Sequence, residues 1–399
     1  MFMYRKFNPK DIKYDSLFKN VLMEEFSGNS PPAVFVGSKL YPNLNVGILS
    51  PPEKVENSWM YDAQKYWSEK EFTIKDILNF RARLINSRFK ANINDVRNSN
   101  RFLEMSQEIA MAYKPVDIEV ELKKKIKVVM DYDNINMPMG PRAELKNAVI
   151  TENPKIHTKV DKVVSDTDLK ANEAIKYLYE NKFDENTLIK LLSIGTLGLK
   201  KNRKLVPTRW SITATDDSIG KAIREEILDY NSIDDYRLYY GNYLGNYYFV
   251  LMFPDIFSYE LFELYLPKSA WNQTDETAVS TDYEDCFGRK EYASNTVGGY
   301  YAARLGILEK LKEIKRQSSV LVIRFETPEY WASLGVWVVR EASRKSLNSE
   351  PFVFDNKEDL LKKTKELVLR ILGFKIDYTL DQSILLKKLR QQKRLTSFF

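Results

Sequence analysis

The sequence has very little of the two residue types from which most structural zinc sites and disulfides are built. Cys286 is its one cysteine and His157 its one histidine. An internal disulfide needs two cysteines, and a structural zinc site needs about four Cys or His ligands, so both are excluded. A single histidine without a suitably placed serine or cysteine also gives no support for a hydrolase triad.

Long hydrophobic runs are missing as well. No stretch approaches the roughly 20 apolar residues that cross a bilayer, and the first residues, Met1–Lys6, lead directly into polar sequence. We therefore expect neither a membrane partner nor a secretory signal, and we expect a cytoplasmic protein. The glycines of Gly195–Lys200 lack the spacing of a phosphate-binding Walker loop.

The composition is that of a large folded protein. The 399 residues are 44% hydrophobic, which excludes wholesale disorder. A total of 61 basic against 55 acidic residues gives a formal charge of +6. This mild excess permits contact with nucleic acid without requiring it. The two densest basic clusters are 200–204 and 387–394, and for each the alternative is a merely solvated face.

Helical and strand periodicities are mixed along the chain without regular alternation. Residues 116–122 alternate between apolar and acidic side chains, which predicts a strand. Residues 235–240 and 247–252 predict two strands joined as a hairpin or by a short crossover. Residues 59–88 and 355–372 have the period of helices. Mixed elements of this kind favour an α+β fold over a parallel α/β fold.

We therefore predict an α+β protein with mixed helices and mostly antiparallel sheet in one large compact body, followed by a flexible C-terminal tail. The body covers residues 1–375, and its division into two subdomains is left open. The basic tail covers residues 376–399, because the sequence there becomes polar and rich in Lys and Arg.

The last eight residues contain a regularly spaced group of anchoring side chains. Gln392, Leu395 and Phe398 are three residues apart, so one 3₁₀ turn places them on one side, and Phe399 adds a second ring. The alternative is a terminal helix that buries Leu389, Leu395 and Phe398 in the protein's own core, but the preceding Lys and Arg residues favour a solvated tail. The spacing resembles the PCNA-interacting box, which implies that these four residues bind the sliding clamp PCNA.

Four other parts of the chain carry a second resemblance. They are Phe35–Gly37 with Tyr41–Gly47, then Arg203–Ala214, Gly298–Leu305 and Leu334–Glu341. Together they resemble the archaeal Nre proteins, from about residue 30 onward. The resemblance implies a DNA repair factor recruited to the clamp, and it specifies no reaction. Some members carry a cysteine-rich segment that could bind zinc, but this chain has none, so we expect neither a metal nor another cofactor.

The second of these segments is strongly basic. Arg203, Lys204 and Arg209 place three cations within seven residues, next to Trp210. Arginine pairs with phosphate in a bidentate manner, and an indole can stack on a base or sugar, so we predict that these four residues bind DNA. The alternative is an arginine paired with a buried carboxylate and a tryptophan in the core. Soon after, Asp216 or Asp217 is predicted to cap the start of a helix.

Carboxylates leave the question of enzymatic activity open. Asp117 and Glu119 project from one face of a strand, Asp216 and Asp217 are expected to follow a second strand, and Asp131–Asp133 supplies another pair. Such groups could hold Mg²⁺ or Mn²⁺ in a nuclease, although paired acids are more often caps or solvated groups. We prefer a repair factor that binds DNA. The alternative is a metal-dependent nuclease or nucleotide-processing enzyme tethered to the clamp, for which these acids must converge.

Overall fold

Two mixed sheets and twelve α-helices are present in the part of the chain that the computed structural model describes, which is residues 24–98, 100–126 and 137–391 and the backbone of 130–131. The strands are β1 (Glu25–Ser30), β2 (Val34–Val36), β3 (Asn43–Ser50), β4 (Ile85–Asn92), β5 (Val116–Leu122), β6 (Met130–Asp131), β7 (Met139–Ile150), β8 (Tyr236–Tyr243), β9 (Asn246–Phe253), β10 (Ser258–Tyr265), β11 (Ala278–Glu284), β12 (Ser319–Glu326) and β13 (Phe352–Phe354).

The helices are α1 (Gln64–Glu69), α2 (Ile74–Ala82), α3 (Arg101–Met111), α4 (Thr158–Ser165), α5 (Ala171–Glu180), α6 (Glu185–Ser193), α7 (Thr208–Ile227), α8 (Val297–Ile314), α9 (Trp337–Leu347), α10 (Lys357–Leu372), α11 (Asp377–Gln382) and α12 (Ile384–Gln391). Measured against the thickness of a bilayer, none of these described helices is both long enough and apolar enough to span it. Except for β4 with β7 and β10 with β12, the paired strands are antiparallel. The predicted α+β fold with mostly antiparallel sheet is confirmed.

The chain divides into two units. Among the described residues, the first unit runs up to Ile219 and includes Ala332–Val336, and the second contains Gly220–Trp331 and the chain from Trp337 onward. The boundary therefore falls inside α7. Each unit contains one of the two sheets.

The sheet of the first unit has the order β1-β5-β7-β4-β3-β2, with β6 beside β7. The strand predicted at 116–122 is confirmed as β5, whose apolar residues Val116, Ile118, Val120 and Leu122 are all buried. The acidic residues between them are less buried because successive side chains of a strand point to opposite faces. The alternating sequence thus determines which face of β5 is buried.

The single helix predicted over 59–88 is wrong. Helix α1 ends at Glu69, and Glu71 has a φ of 55°, which reverses the chain. Thr73 then begins α2 with a capping box, in which its hydroxyl accepts from the Asp76 N–H and the Asp76 carboxylate accepts from the Thr73 N–H. The last part of the window is already β4, which starts at Ile85.

The sheet of the second unit has the order β11-β10-β12-β9-β8-β13. Its central strand β12 is buried along its whole length, because helices cover both faces. Helices α8 and α9 lie on one face, where the Tyr248 hydroxyl donates to the Val339 carbonyl at 3.2 Å. Side chains of α10, α11 and α12 complete the apolar core on the other face. The predicted hairpin is confirmed as β8 and β9, with Leu244 and Gly245 both left-handed at its turn.

A buried charge network lies on the α8 side of this sheet. Arg324 forms ion pairs with Glu263 and, at 3.2 Å, with Glu326. Its Nε and Nη2 atoms also donate to the Asn246 side-chain oxygen at 3.1 and 2.6 Å. One guanidinium thus faces two carboxylates, and burial raises the pKa of Glu326 to about 7.

Residues 377–391, which the sequence analysis assigns to the tail, form the two helices α11 and α12. Leu385 and Leu386 of α12 are each 1% exposed and belong to the core of the second unit. The clamp motif, Gln392–Phe399, lies outside the described residues. The last described helix is therefore packed against the folded unit up to the point where the motif begins.

A carboxylate from the sheet caps the start of α12. Glu260 of β10 accepts the Ser383 hydroxyl at 2.5 Å and the N–H groups of Ile384 and Leu385 at 2.9 and 3.0 Å. Burial raises the pKa of Glu260, and these three donors oppose that shift because they stabilise the charged form. The capping contact fixes α12 to β10.

Candidate nucleic-acid interface

Two loops meet at one end of the sheet of the first unit. Strand β3 is antiparallel to both β2 and β4, and its first residue, Asn43, lies opposite Asn92, the last residue of β4. The loop 37–42 and the segment 93–98 therefore leave the sheet at the same end. The Ile93 N–H donates to the Pro42 carbonyl at 3.0 Å, which joins the two.

The start of α7 brings a third loop to the same place. The Leu205 N–H donates to the Ile93 carbonyl at 2.9 Å, so Ile93 links the basic segment to the loop 37–42. The Val36 N–H donates to the Thr208 Oγ1 atom at 2.9 Å, which makes a second link. We call the surface formed by residues 37–42, 93–98 and 198–210 the three-loop surface.

A glycine at the end of α6 permits this close approach. Gly195 has a φ of +74°, a conformation that costs little for glycine alone. A Cβ atom there would lie 2.8 Å from the Lys204 carbonyl oxygen and 2.9 Å from a methyl group of Val96. Any other residue would push the loop of Lys204 away from the segment of Val96.

Two aromatic side chains meet on the three-loop surface. The rings of Tyr41 and Trp210 have centroids 5.5 Å apart at an angle of 50°. The two residues are 49% and 47% exposed, so the alternative that placed Trp210 in the core is wrong. Tyr41 is not among the site residues that the sequence predicts. The signal that could have found it is its position in a segment that resembles the same family as the segment of Trp210.

Besides Arg203, five cations lie on the two loops that carry this pair. None of them forms an ion pair with another residue in the ranges that the structure describes, and all are exposed except the half-buried Arg209. They are Lys39, Lys200, Lys201, Lys204 and Arg209. Charges without a local partner leave the three-loop surface with a positive potential that attracts anions.

Arg203 has a different environment from its neighbours. Its Nε atom donates to the Gly198 carbonyl at 2.8 Å, and its Nη2 atom donates to the carbonyls of Val164 and Asp166 at 2.8 and 3.0 Å. The carbonyls of Val164 and Asp166 lie at the C-terminal end of α4, where a cation is favourable. Burial lowers the pKa of the Arg203 guanidinium. The Arg203 guanidinium thus holds α4 against the loop. Its partners are backbone carbonyls, whereas the alternative interpretation predicts a buried carboxylate.

We expect Arg203→Ala to destabilise the first unit and Lys204→Ala to leave its stability unchanged. The first change removes the donors of three hydrogen bonds and lowers the free energy of unfolding by about 1–3 kcal/mol. Removing the exposed Lys204 side chain changes it by about 0.5 kcal/mol or less. Thermal unfolding followed by circular dichroism measures both. An Arg203→Ala protein that melts at the parent temperature would contradict the capping role.

The helix cap predicted at Asp216 or Asp217 is wrong, because α7 begins earlier. The helix starts at Thr208, and the Pro207 carbonyl that precedes it accepts hydrogen bonds from the N–H groups of Trp210 and Ser211 at 2.8 and 3.0 Å. Asp216 is 1% exposed in the interior of this helix.

Among the residues that the structure describes, the acids do not form a shared metal site. Asp117 pairs with Lys54, and in the described ranges no three Asp, Glu, His or Cys side chains are grouped so as to hold one metal ion. The convergence of Asp117, Glu119, Asp216 and Asp217 that the nuclease alternative requires is therefore not found. The side chain of Asp131 and the whole of Asp133 lie outside the described residues.

Comparison with known proteins places these segments in one family. The family described as archaeal Nre, N-terminal, matches residues 10–272, and the one described as archaeal Nre, C-terminal, matches residues 284–398. Both the segment of Tyr41 and the segment of Trp210 fall in the first match.

Curated relatives agree. The DNA repair protein NreA of Archaeoglobus fulgidus is 39% identical over 356 residues, which cover 88% of this chain and 85% of the relative. NreB of the same organism is 38% identical over 366 residues, which cover 92% of this chain and 90% of the relative. NreA of Haloferax volcanii is 36% identical over 341 residues, which cover 84% of this chain and 81% of the relative. No solved structure is significantly similar. The chain therefore belongs to the archaeal Nre family.

Proposed function

We propose that this protein is a DNA repair factor that binds DNA through the three-loop surface and is recruited to the sliding clamp PCNA through Gln392, Leu395, Phe398 and Phe399. Its relatives are named DNA repair proteins, which supports a role in repair. We propose the cytoplasm as its location, because an archaeal cell keeps its DNA and clamp there.

One observation carries the DNA-binding part of the proposal. Lys204 and Arg209 stand without ion-pair partners in the described chain, beside the exposed ring of Trp210. Cations that neutralise phosphates release condensed counterions, which is the main source of affinity for DNA. Of the four predicted DNA-binding residues, we therefore propose that Lys204, Arg209 and Trp210 contact DNA directly. Arg203 supports it indirectly, because it holds the loop that presents Lys204.

The proposal is a binding role in which no reaction is assigned. The alternative, a nuclease tethered to the clamp and dependent on Mg²⁺ or Mn²⁺, requires converging carboxylates. The described residues offer no such group of three. We therefore propose no metal or other cofactor for the DNA-binding role.

A double variant tests the phosphate contacts. We expect Lys204→Ala with Arg209→Ala to weaken binding to all DNA sequences alike. The slope of log affinity against log salt should become shallower by about two units, one for each lost contact. Fluorescence anisotropy with labelled DNA between about 50 and 200 mM salt measures this slope.

The matched control is Lys65→Ala with Lys75→Ala, which removes the same charge from two exposed lysines of α1 and α2. It should keep the parent's salt slope. If the Lys204 and Arg209 variant melts normally and also keeps that slope, the three-loop surface is not the phosphate site. If both double variants lose affinity equally, the effect is one of net charge.

A further inference from the structure

Tyr41 and Trp210 are large aromatic residues of the first unit that remain exposed to solvent. They are 49% and 47% exposed, whereas Trp67, one of the buried aromatic residues of the same unit, is 0% exposed. The neighbouring Leu40 is 67% exposed. Large apolar groups gathered on a charged surface mark a place where something binds.

The loop that carries Tyr41 is fixed in position. The Asn43 N–H donates to the Leu40 carbonyl at 2.8 Å, and the Gly37 N–H donates to the Asn45 carbonyl at 2.9 Å. Leu40 itself has a φ of 68°, an unfavourable conformation for a residue with a side chain, which persists only where the surroundings impose it. The backbone that carries Tyr41 is thus held in place, so a ligand would lose little entropy in ordering this loop.

The two rings are not stacked on each other. At 50° the planes are too far from parallel for face-to-face stacking. Lys39 precedes Tyr41 by two residues, Arg209 precedes Trp210 directly, and Lys204 lies on the adjoining loop. The surface therefore combines aromatic faces with cations, the combination that binds a nucleotide by its base and its phosphate.

The condition of the base decides which DNA can use these rings. In an intact duplex the faces of each base are covered by its neighbours in the stack. An aromatic side chain can cover a base only where the strand is single or the base has left the stack. The cations alone would bind duplex and single strand alike, because they contact the phosphates.

We infer that Tyr41 and Trp210 form a platform for unpaired bases, so that the preferred ligand is single-stranded DNA or duplex DNA with an unpaired nucleotide. This inference rests on the proposed DNA-binding function and gives it a substrate class. It also separates two tasks on one surface, since Lys204 and Arg209 bind the backbone and the aromatic pair distinguishes open from closed DNA.

The test compares three forms of one labelled oligonucleotide: a perfect duplex, the single strand, and a duplex with a short central gap. We expect the parent protein to bind the two open forms roughly tenfold more tightly than the duplex, as one stacked base provides. Trp210→Ala and Tyr41→Ala should each weaken binding to the two open forms far more than binding to the duplex, which removes most of that preference. Trp210→Phe and Tyr41→Phe keep a ring and should retain it. A 2-aminopurine base at the gap should lose fluorescence on binding the parent and not on binding Trp210→Ala.

The outcomes are distinguishable. If Lys204→Ala with Arg209→Ala weakens binding to all three forms while Trp210→Ala changes none, the DNA-binding function stands and the platform is disproved. If the parent binds no form of DNA, both are disproved. Alanine variants that keep every DNA affinity and instead weaken binding to the clamp would show that the rings contact protein, which also overturns the inference.

Discussion

Replacing Phe398 and Phe399 by alanine is expected to abolish association with the sliding clamp while leaving the folded protein unchanged. A few buried aromatic and aliphatic groups carry most of the energy of a bound peptide, so the loss of two rings costs on the order of several kcal/mol. Each 1.4 kcal/mol is about a tenfold loss of affinity, which makes a micromolar contact undetectable. Surface plasmon resonance on immobilised clamp measures the effect.

The design of the controls follows from the packing of α12. Because Leu385 and Leu386 are buried and Glu260 caps the helix, a chain cut after Gln391 keeps these contacts and should melt like the parent. It should also lose clamp binding. Lys393→Ala with Arg394→Ala changes two residues between the anchoring positions and should retain most of the affinity. Undiminished binding by the chain cut after Gln391 would disprove the assignment of the motif.

Replacing Arg324 by methionine is expected to destabilise the second unit severely. Methionine fills a similar volume but leaves Glu263 and Glu326 buried with no guanidinium between them. Removing one partner of a buried ion pair costs about 3–5 kcal/mol, because the remaining charge is desolvated without compensation. Urea unfolding monitored by tryptophan fluorescence should show a midpoint far below that of the parent.

Two further variants show whether the unpaired charge is the cause. Adding Glu263→Gln and Glu326→Gln to Arg324→Met removes the stranded carboxylates, so the triple variant should be more stable than the single one. Arg370→Ala, on the exposed side of α10, is a control that should change stability by about 0.5 kcal/mol or less. A parent-like midpoint for Arg324→Met would show that the network contributes no net stability.

The sequence alone determined the elements whose pattern is local. The alternating residues of β5 predicted both the strand and its buried face, and the helical period before Gly373 predicted α10, which ends at that glycine with a φ of 64°. Such patterns suffice because the side-chain period of a strand or helix is fixed by its own backbone geometry. The clamp motif is also a local pattern, and it rests on the sequence alone because Gln392–Phe399 lies outside the described residues. The family resemblance likewise came from short segments.

Only the tertiary structure decided which contacts the basic segment makes. Spacing could not show that Arg203 donates to Val164, 39 residues away, or that Trp210 meets Tyr41. Equally, the pair Asp216 and Asp217 is predicted to start a helix. The sequence could not show that α7 already begins at the carbonyl of Pro207. The physical reason is the same in each case. A hydrogen bond or ring contact between distant segments depends on where the sheet places their loops, and no periodicity within either segment encodes that position.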